Sequence, residues 1–508
     1  MASRRDELNA YTFAKRRTLA SFIQPSPTGS EEGAPRPLRA VLPGTVMAVV
    51  LLAAFGAWGM FKPTAPPGWD TPGEKVIIAS ESTTRYVVLT TDGRSELHPV
   101  LNMASAKLLL APDKGQVVKV DESVLDKGSL THGATLGIPY APDRLPSAKE
   151  AGSAKRWAVC ERPGDGGRAI QKAAFVLADR DMARTDGDER LTGGELMFVI
   201  GAEDKTRYIV DARGTKYPVG SDEKLLRPLV GSGREPERVS KEWLETLRTG
   251  DPVAFPKVEG KIGAPAGVPG SLSADANRIG VVLRATNGAG AQYYLVQRGK
   301  VSPVSDFTAK LLLNSVQLSK VMGTGQATAT NASMFSPEAT EFPGNVDWPR
   351  PMPVAVNDAG TANGSRNTVC NVLRDVNKDN GATTMSTWAG TDFPEPLPTG
   401  SSSAYVTPGS GQLFRQIQGS ETEAGGVFLV TDTGLRYAMQ SNSDSAAGDS
   451  GAGLTAEQRK QLDQEAQQAQ TRLGYAKSDP APIPISWSTF LPTGPRLSTG
   501  AARQPQGS

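Results

Sequence analysis

Residues 85–100 read RYVVLTTDGRSELHPV: an apolar strand, a glycine turn and a second strand that ends in a Pro-Val step. The pattern returns as RYIVDARGTKYPV from Arg207, QYYLVQRGKVSPV from Gln292 and GVFLVTDTGLRYAM from Gly426. Similar stretches within one chain indicate a duplicated module. In each copy an aromatic residue lies six or seven positions before a turn glycine, at Gly93, Gly214, Gly299 and Gly434. We therefore predict four hairpins whose turns need the positive φ that glycine adopts freely.

A further strand precedes each hairpin, and in the first three copies a short helical pattern, KLLL or KLLR, follows it. Each copy is therefore predicted to be a unit of three strands covered by one helix. In the fourth copy QSNSDSAAGDSGAG stands where the helix is expected, so we predict a Ser/Gly linker at 441–453. The predicted repeats span residues 74–112, 194–231, 278–316 and 411–440.

Residues 40–61, AVLPGTVMAVVLLAAFGAWGMF, form an uncharged segment that spans about 33 Å as a helix, enough to cross the hydrocarbon layer of a membrane. Seven Lys and Arg residues precede this segment, and two follow it within twenty positions. The positive-inside rule then places residues 1–39 in the cytoplasm and the remainder outside. A cleaved secretory signal is the alternative, but KPTAPPGW after the segment lacks a small-x-small cleavage pattern. We predict a single-pass protein of the cytoplasmic membrane.

Cys160 and Cys370 are the only cysteines, and they lie in two short apolar strands, RWAVCERP and RNTVCNVL. In an oxidising compartment an even number of cysteines usually forms bridges, so we predict a Cys160–Cys370 disulfide. Two unrelated buried thiols are the alternative. The cysteine strands belong to two inserts, 113–190 and 317–410, on either side of the middle repeats. We predict that both inserts build one β-rich central domain, with the repeats arranged around it.

The C-terminal part begins with TAEQRKQLDQEAQQAQTRLG, which predicts a helix at 454–474. Its apolar stripe is thin and consists of Leu462, Ala466, Ala469 and Leu473. The remainder, 475–508, is rich in proline. Because proline donates no backbone hydrogen bond, this tail is predicted to run extended over a surface, without helix or central strand.

The N-terminal segment, 1–39, is predicted to be a basic helix followed by a linker. Four apolar residues recur in it at helical spacing: Leu8, Tyr11, Leu19 and Phe22. We expect Arg16 and Arg17 to lie beside this stripe. Two interpretations stay open: the helix rests on anionic lipid, or it docks onto a cytoplasmic partner through Arg16, Arg17 and Phe22.

Catalytic motifs are missing from the sequence. The pairs Gly260-Lys261 and Gly299-Lys300 lack the spacing of a phosphate-binding P-loop. The two histidines, His98 and His132, are too few for a His-based zinc site, and we predict that both are exposed loop residues. The acidic stretches DRDMARTDGDE (179–189) and DVNKDNG (375–381) match a calcium loop only in part.

We interpret both acidic stretches as solvated turns, with weak calcium binding as the alternative. The formal net charge of +2 gives no reason to expect nucleic acid as a partner. We therefore predict no cofactor and no metal site.

Three stretches of this chain resemble the EccB family, which provides membrane components of the type VII (ESX) secretion systems of actinobacteria. They are TFAKRRTLASFI (12–23), LGIPYAPDRLP (136–146) and LGYAKSDPAPIPISWSTFLPTGPRLS (473–498). The single membrane span, the four repeats and the two distant cysteines agree with the resemblance. It implies an inner-membrane complex with EccC, EccD and, in many systems, EccE, with a mycosin protease alongside. It also implies self-association of the extracytoplasmic domains.

The predicted fold is α+β: a single transmembrane helix followed by an elongated extracytoplasmic region of four small hairpin-and-helix repeats around a central β-rich domain. The resemblance implies a structural core subunit that scaffolds the secretion channel through its cytoplasmic helix and its self-associating outer part. The alternatives are an extracytoplasmic enzyme, for ATP or cell-wall hydrolysis, and a glycan-binding module. The family has been described as hydrolysing ATP, but this sequence offers no nucleotide motif to which that activity could be assigned.

Overall fold

The computed structural model describes residues 3–23, 38–61, 65–128, 130–164, 169–287, 290–323, 325–360, 365–398, 403–439 and 456–506. The Ser/Gly linker predicted at 441–453 lies outside these residues, as do residues 24–37 of the predicted N-terminal segment. The chain divides into two compact units, Met1–Pro67 with Lys119–Gly128, and Gly68–Val118 with Ser129–Ser508. We call them the N-terminal unit and the main unit.

The elements follow in chain order. The helices are α1 (Arg4–Ile23), α2 (Leu38–Phe61), α3 (Met103–Leu109), α4 (Glu122–Lys127), α5 (Ala148–Gly152), α6 (Glu223–Val230), α7 (Lys241–Glu245), α8 (Asp306–Leu313), α9 (Ala456–Leu473), α10 (Ile485–Ser488) and α11 (Thr499–Ala502). The strands are β1 (Lys75–Ala79), β2 (Arg85–Thr91), β3 (Arg94–Val100), β4 (Gln116–Val120), β5 (Thr131–His132), β6 (Arg156–Pro163), β7 (Ile170–Leu177), β8 (Glu195–Gly201), β9 (Arg207–Asp211), β10 (Thr215–Val219), β11 (Glu237–Val239), β12 (Arg248–Thr249), β13 (Val282–Asn287), β14 (Gly290–Gln297), β15 (Lys300–Val304), β16 (Thr328–Asn331), β17 (Val354–Ala355), β18 (Thr368–Val376), β19 (Thr383–Gly390), β20 (Ala404–Val406), β21 (Gly411–Ile417), β22 (Val427–Thr431), β23 (Arg436–Ala438) and β24 (Ala481–Pro484).

The N-terminal unit contains the predicted membrane helix. Within the described residues, one helix is long and apolar enough to cross a membrane, the part of α2 from Val41 to Gly59. Its large side chains are exposed, among them Leu52, Phe55 and Trp58, which are 74%, 74% and 68% exposed. Apolar side chains that face outward all around a helix suit lipid contact rather than a protein core.

Each of the four similar stretches forms three consecutive antiparallel strands: β1–β3, β8–β10, β13–β15 and β21–β23. The turn between the second and third strand carries the expected glycine. Gly93, Gly214, Gly299 and Gly434 have φ values of 77°, 75°, 72° and 79°. A residue with a side chain is strained at these φ values, so the geometry of the turn explains why glycine recurs there.

A further strand lies beside the first strand of each of these four sheets, and the sequence did not reveal it: β4, β11, β16 and β24. β11, β16 and β24 each pair in parallel with the first strand of their repeat, which is β8, β13 or β21. Each of them comes from chain that lies beyond the helix following the hairpin. The repeat is thus a meander, a covering helix and a return strand, rather than three strands and a helix alone.

The covering helices bring the repeats together in pairs. One core combines apolar residues of the first and fourth sheets with α3 and α9, including Val87, Leu108, Leu429 and Leu473. A second core joins the sheet and helix of the second repeat to Phe307 and Leu311 of α8 from the third. α9 therefore occupies the place of the missing helix of repeat four. Its predicted stripe is buried at Ala466, Ala469 and Leu473.

Strands of both inserts form one central sheet, in the order β19-β18-β6-β7-β20. Its residues are buried on both faces. Trp157 and Val159 point to one core, while Ala158, Phe175 and Cys160 point to another. Cys160 lies directly opposite Cys370 in the antiparallel β6–β18 pair, and the two are joined by a disulfide bond.

The prediction for the tail at 475–508 is wrong. Instead of running extended over a surface, it supplies β24 and the helices α10 and α11. Tyr475, Trp487 and Leu497 are each no more than 1% exposed. β24 is an edge strand in which proline alternates with other residues, so only the alternate N–H groups are needed for pairing with β21.

The disulfide leads to a first prediction. Replacing both Cys160 and Cys370 by Ala is expected to lower the free energy of unfolding of the central sheet by about 4–5 kcal/mol, because the bridge closes a very long loop in the unfolded chain. Guanidinium unfolding of the full chain in detergent, followed by tryptophan fluorescence, measures the loss. Since both sulfurs are buried, dithiothreitol should leave the native wild type unchanged. Two thiols that react with alkylating reagent in unreduced, denatured protein would contradict the bond.

The turn glycines give a second prediction with an internal control. A Cβ on Gly214 would lie 3.1 Å from the Met385 Cβ and 3.2 Å from the Asn371 Oδ1, whereas one on Gly299 would meet nothing within 4 Å. Gly299→Ala is expected to cost about 1 kcal/mol through backbone strain alone. Gly214→Ala should cost about 1–3 kcal/mol more, since it also crowds the central sheet. Equal losses in denaturant unfolding would show that this contact does not constrain the second repeat.

Candidate functional sites

Within the described structure, the residues that could bind a metal or act in catalysis do not cluster in one site. Among the residues that the structure describes, no group of three or more His, Cys, Asp and Glu side chains could hold a metal ion. The prediction for His98 is wrong, because it lies in β3, is 6% exposed and contacts the Ala134 carbonyl through Nδ1 at 2.9 Å. His132 is exposed but lies in β5, where its ring meets that of Tyr86 edge-on.

The acidic stretch at 179–189 is not a solvated turn. Asp181 is 9% exposed and accepts a hydrogen bond of 2.7 Å from the Thr407 hydroxyl. Asp186 lies within 2.7 Å of both Arg156 and Arg374, and hydrogen bonds from these two guanidinium groups help to keep its pKa below the ordinary value despite the opposing effect of burial. These carboxylates are therefore used to join the segment to β6, β18 and the loop after β20. The stretch at 375–381 forms the turn between β18 and β19.

Two depressions lie on the main unit. One, of about 320 Å³, lies between Gly194, Ile209 and the proline-rich segment Pro349–Pro353. The other, of about 840 Å³, lies where α9 meets the fourth repeat and is lined by charged residues of both signs: Arg415, Lys460, Glu423 and Asp479. Neither brings a nucleophile, a base and an orienting acid together, which is the arrangement that hydrolytic chemistry needs.

A buried pair of carboxyl groups lies where the central sheet meets the second repeat. Glu161 of β6 is fully buried and accepts hydrogen bonds from the backbone N–H and the hydroxyl of Ser240, which begins α7. Glu237 of β11 is 3% exposed, and its Oε2 has no hydrogen-bond partner within the described chain. Burial raises the pKa of Glu161, and burial raises the pKa of Glu237 to about 7.

The predicted partner-contact residues lie on α1. Its apolar side chains are strongly exposed: Leu8 is 66%, Tyr11 69%, Leu19 51% and Phe22 85% exposed. At 3.6 residues per turn these four fall within an arc of about 80°. Arg16 then lies about 100° from the centre of that arc and Arg17 about 160° from it. Arg16 therefore lies nearer to the stripe than Arg17, and contact of Arg16, Arg17 and Phe22 with a partner stays a prediction.

Comparison with known proteins identifies the family. The family model described as "Type VII secretion system ESX-1, transport TM domain B" matches residues 1–507. The chain belongs to the EccB family. The resemblance to this family is thereby confirmed. With one candidate membrane helix in its described residues, this EccB is a single-pass membrane protein and a component of a type VII secretion system.

Relatives of this EccB are distant in sequence but extend over most of the chain. The protein named ESX-3 secretion system ATPase EccB3 from Mycolicibacterium smegmatis is 26% identical over 504 residues, which cover 91% of this chain and 83% of that protein. Two solved structures share the fold. An intact ESX-5 inner membrane complex contains a chain with a TM-score of 0.56 and 19% identity, covering 100% of this chain and 96% of its own. The EccB3 dimer from the ESX-3 core complex gives 0.54 and 22%, covering 84% and 99%.

The buried carboxyl pair gives a third prediction. The pKa of Glu237 is about 7 in the folded protein and about 4.5 in the unfolded chain, so the unfolded state ionises first. This favours unfolding progressively as the pH rises from about 4.5 to about 7, and the stability present at low pH is lost above that range. Glu237→Gln is therefore expected to leave stability at pH 4.5 nearly unchanged and to raise it by about 3 kcal/mol at pH 8.

The matched control for this prediction is Glu235→Gln, which removes an exposed carboxyl group two residues away. It should change neither the stability nor its pH dependence by more than about 0.5 kcal/mol. Denaturant unfolding of the full chain between pH 4.5 and pH 8 measures both variants. A pH profile that Glu237→Gln leaves unaltered would show that this carboxyl group is not the buried acid.

Proposed function

We propose that this chain is a structural core subunit of a type VII secretion complex, which scaffolds the channel from both sides of the cytoplasmic membrane. α2 anchors it, with α1 in the cytoplasm and the main unit outside. The excess of Lys and Arg before α2 supports this orientation. The EccB3 dimer and the ESX-5 inner membrane complex, whose chains share the fold, support self-association of the main unit and membership of a membrane complex.

The observation that carries the proposal is the exposed apolar stripe of α1. Leu8, Tyr11, Leu19 and Phe22 lie outside the membrane-spanning helix, and each is more than half exposed. A soluble helix that shows four large apolar side chains on one side needs a surface to cover them. We assign that surface to the cytoplasmic parts of the other membrane components, EccC, EccD and EccE. The mycosin protease is proposed as a partner of the main unit. The anionic lipid surface is the competing occupant of the stripe.

The fourth prediction tests this stripe. Leu19→Ser with Phe22→Ser is expected to release the protein from the secretion complex, because both changes remove apolar area from the same side of α1. Phe13→Ser is the matched control, since Phe13 is 54% exposed but lies about 160° from the stripe centre. Native-gel migration of the detergent-solubilised complex and secretion of a substrate are measured for each variant. Normal assembly of the double variant would show that this stripe does not hold the protein in the complex, and that α1 rests on lipid instead.

The fifth prediction concerns orientation. A reporter enzyme that is active only outside the cytoplasm should work when fused after Gly68 and fail when fused before Arg39, because the basic residues before α2 stay inside. A cytoplasmic reporter fused at the same positions should give the opposite result. Activity of the outer reporter at the N-terminal position would invert the proposed topology. Quantitative release of the main unit into the medium would favour a cleaved signal.

A second candidate function is nucleotide hydrolysis, which the name of the Mycolicibacterium smegmatis relative favours. In the described structure, the groove beside α9 is lined by Arg415 and Lys460, which have the sign that phosphate groups require, and also by the carboxylates of Glu423 and Asp479. Phosphate release by the purified chain, separated from every other membrane component, decides the matter. Activity that Lys460→Ala abolishes would establish the groove as an enzyme site, and activity that copurifies only with the full complex would exclude it.

A further inference from the structure

Arg436 of β23 is a buried cation for which the described chain supplies no partner. The residue is 7% exposed, and its side chain makes no hydrogen bond or ion pair with any described residue. Burial lowers the pKa of Arg436, and no carboxylate among the described residues opposes this effect. Glu237 can lose its charge by binding a proton, but arginine is not deprotonated in proteins. The positive charge of Arg436 therefore has to be balanced in another way.

Other arginines of the main unit do have acceptors. The Arg374 guanidinium lies 2.7 Å from the Asp186 carboxylate, and Arg472 donates from Nη1 to the Leu110 carbonyl. Both arginines are only partly buried. Arg436 is buried more deeply than either of them, and the described structure provides it with no acceptor. Its environment is therefore unusual for this protein as well as for arginine in general.

The sheet of the fourth repeat determines where the Arg436 side chain lies. Arg436 is opposite Val430 in the β22–β23 pair, and Phe428 lies on the same face, two residues along β22. The guanidinium carbon is 5.5 Å from the centre of the Phe428 ring, which is itself stacked on Phe414. Attraction between the cation and the ring holds the guanidinium in place. The ring, however, accepts none of the in-plane hydrogen bonds that the N–H groups can donate.

The C-terminal tail fixes the backbone of Arg436 from the other side. The Arg436 N–H donates a hydrogen bond of 3.0 Å to the Pro492 carbonyl, and the Arg436 carbonyl accepts one of 2.8 Å from the Gly494 N–H. β23 is thus held between β22 and the tail. The guanidinium is presented from a rigid strand, so little conformational freedom is lost when a ligand binds it.

The exposed part of the guanidinium is its terminal edge. Nε is enclosed without a hydrogen-bond partner, whereas the two Nη atoms are not enclosed to that extent. Two N–H groups side by side match the two oxygens of a carboxylate. No second cation of the described chain acts on Arg436, so one positive charge has to be balanced. A carboxylate carries one negative charge, whereas a phosphate monoester carries nearly two.

We propose that Arg436 is a carboxylate-binding site, in which the terminal N–H groups bind both oxygens of the ligand and Phe428 supports the guanidinium from one face. The ligand is a free small carboxylate or a carboxylate of another component of the complex, and the chemistry of recognition is the same for both. The site is independent of the proposed scaffold function, because it lies within the main unit of a single chain.

Acetate is the probe for this site. The full chain in detergent is melted in sodium chloride and in rising concentrations of sodium acetate at constant ionic strength, with tryptophan fluorescence as the signal. Binding to the folded state raises the melting temperature, and we expect a saturable rise of about 1–2 °C at ten times the dissociation constant. A melting temperature that does not respond to acetate would show that water alone satisfies the guanidinium, and would overturn the proposal.

Arg436→Met removes the charge and keeps an apolar stem against Phe428. It should abolish the response to acetate. In chloride alone it should melt no lower than the wild type, because an apolar side chain in place of a buried unpaired charge is neutral or stabilising. A large drop in chloride would show that the chain itself already balances Arg436, and would contradict the site. Arg436→Lys keeps the charge without the paired N–H groups, so half of the effect should need at least about threefold more acetate.

The matched control is Arg472→Met, since the Nε of Arg472 is also buried without a partner while Nη1 is bonded to a carbonyl. This variant should melt lower in chloride, because the Leu110 carbonyl loses its donor. The rise in melting temperature with acetate should be the same as in the wild type. An equal rise in Arg436→Met would mean an adventitious ion only, bound elsewhere, and would overturn the proposal.

Assembly of the secretion complex shows which source supplies the carboxylate. Native-gel migration of the detergent-solubilised complex is compared for the wild type, Arg436→Met and Arg472→Met. Provided that Arg436→Met abolishes the acetate response, its normal assembly assigns the ligand to a free molecule, and its selective loss from the complex assigns the ligand to another component. Failure of the scaffold proposal, which is tested on Leu19 and Phe22, leaves the acetate measurement on the isolated chain unaffected.

Discussion

The pairing of β6 with β18 brings together chain segments that are 210 residues apart and holds them with a covalent bond. The two strands come from different inserts, and each continues into a further strand, β7 or β19, of the same sheet. Because the middle repeats lie between the inserts in sequence, this pairing closes the loop that contains both of them. The central sheet is buried on both faces: β6 and β18 contribute apolar residues to two cores, and polar residues such as Glu161 and Asn371 are buried among them.

Around this sheet the repeats depend on one another for their cores. A three-stranded meander with one short helix has too little apolar area to be stable alone, so each sheet gains a return strand and shares its helix with another repeat. The first and fourth repeats share one core, and the second shares another with the helix of the third. Glu161 and Glu237 lie at a different junction, between the central sheet and the second repeat, where burial raises the pKa of both carboxyl groups.

The sequence predicted the features that depend on local chemistry. A long uncharged segment, a turn glycine and a pair of cysteines can each be recognised from a few residues. These signals identified α2, the Cys160–Cys370 bond and the turn glycines Gly93, Gly214, Gly299 and Gly434. Features that depend on residues far away in the sequence were not predicted. β24 needs β21 as a template, and the burial of His98 depends on the loop at Gly133, where a Cβ would lie 2.2 Å from its ring.

The C-terminal part of the chain packs into the core of the first repeat, and this affects the order in which the protein folds. The core of the first repeat is completed by α9 and by Leu497 and Ala502, close to the C-terminus. If the main unit emerges outside the membrane from its N-terminal end, the first repeat waits for almost the whole chain before its apolar surface is covered. Contacts of such long sequence separation form slowly, and the exposed sheet edge is open to wrong pairing in the meantime. The cores of the first and fourth repeats are therefore completed only after nearly the whole chain has been made, when the residues of the Pro-rich tail pack into them.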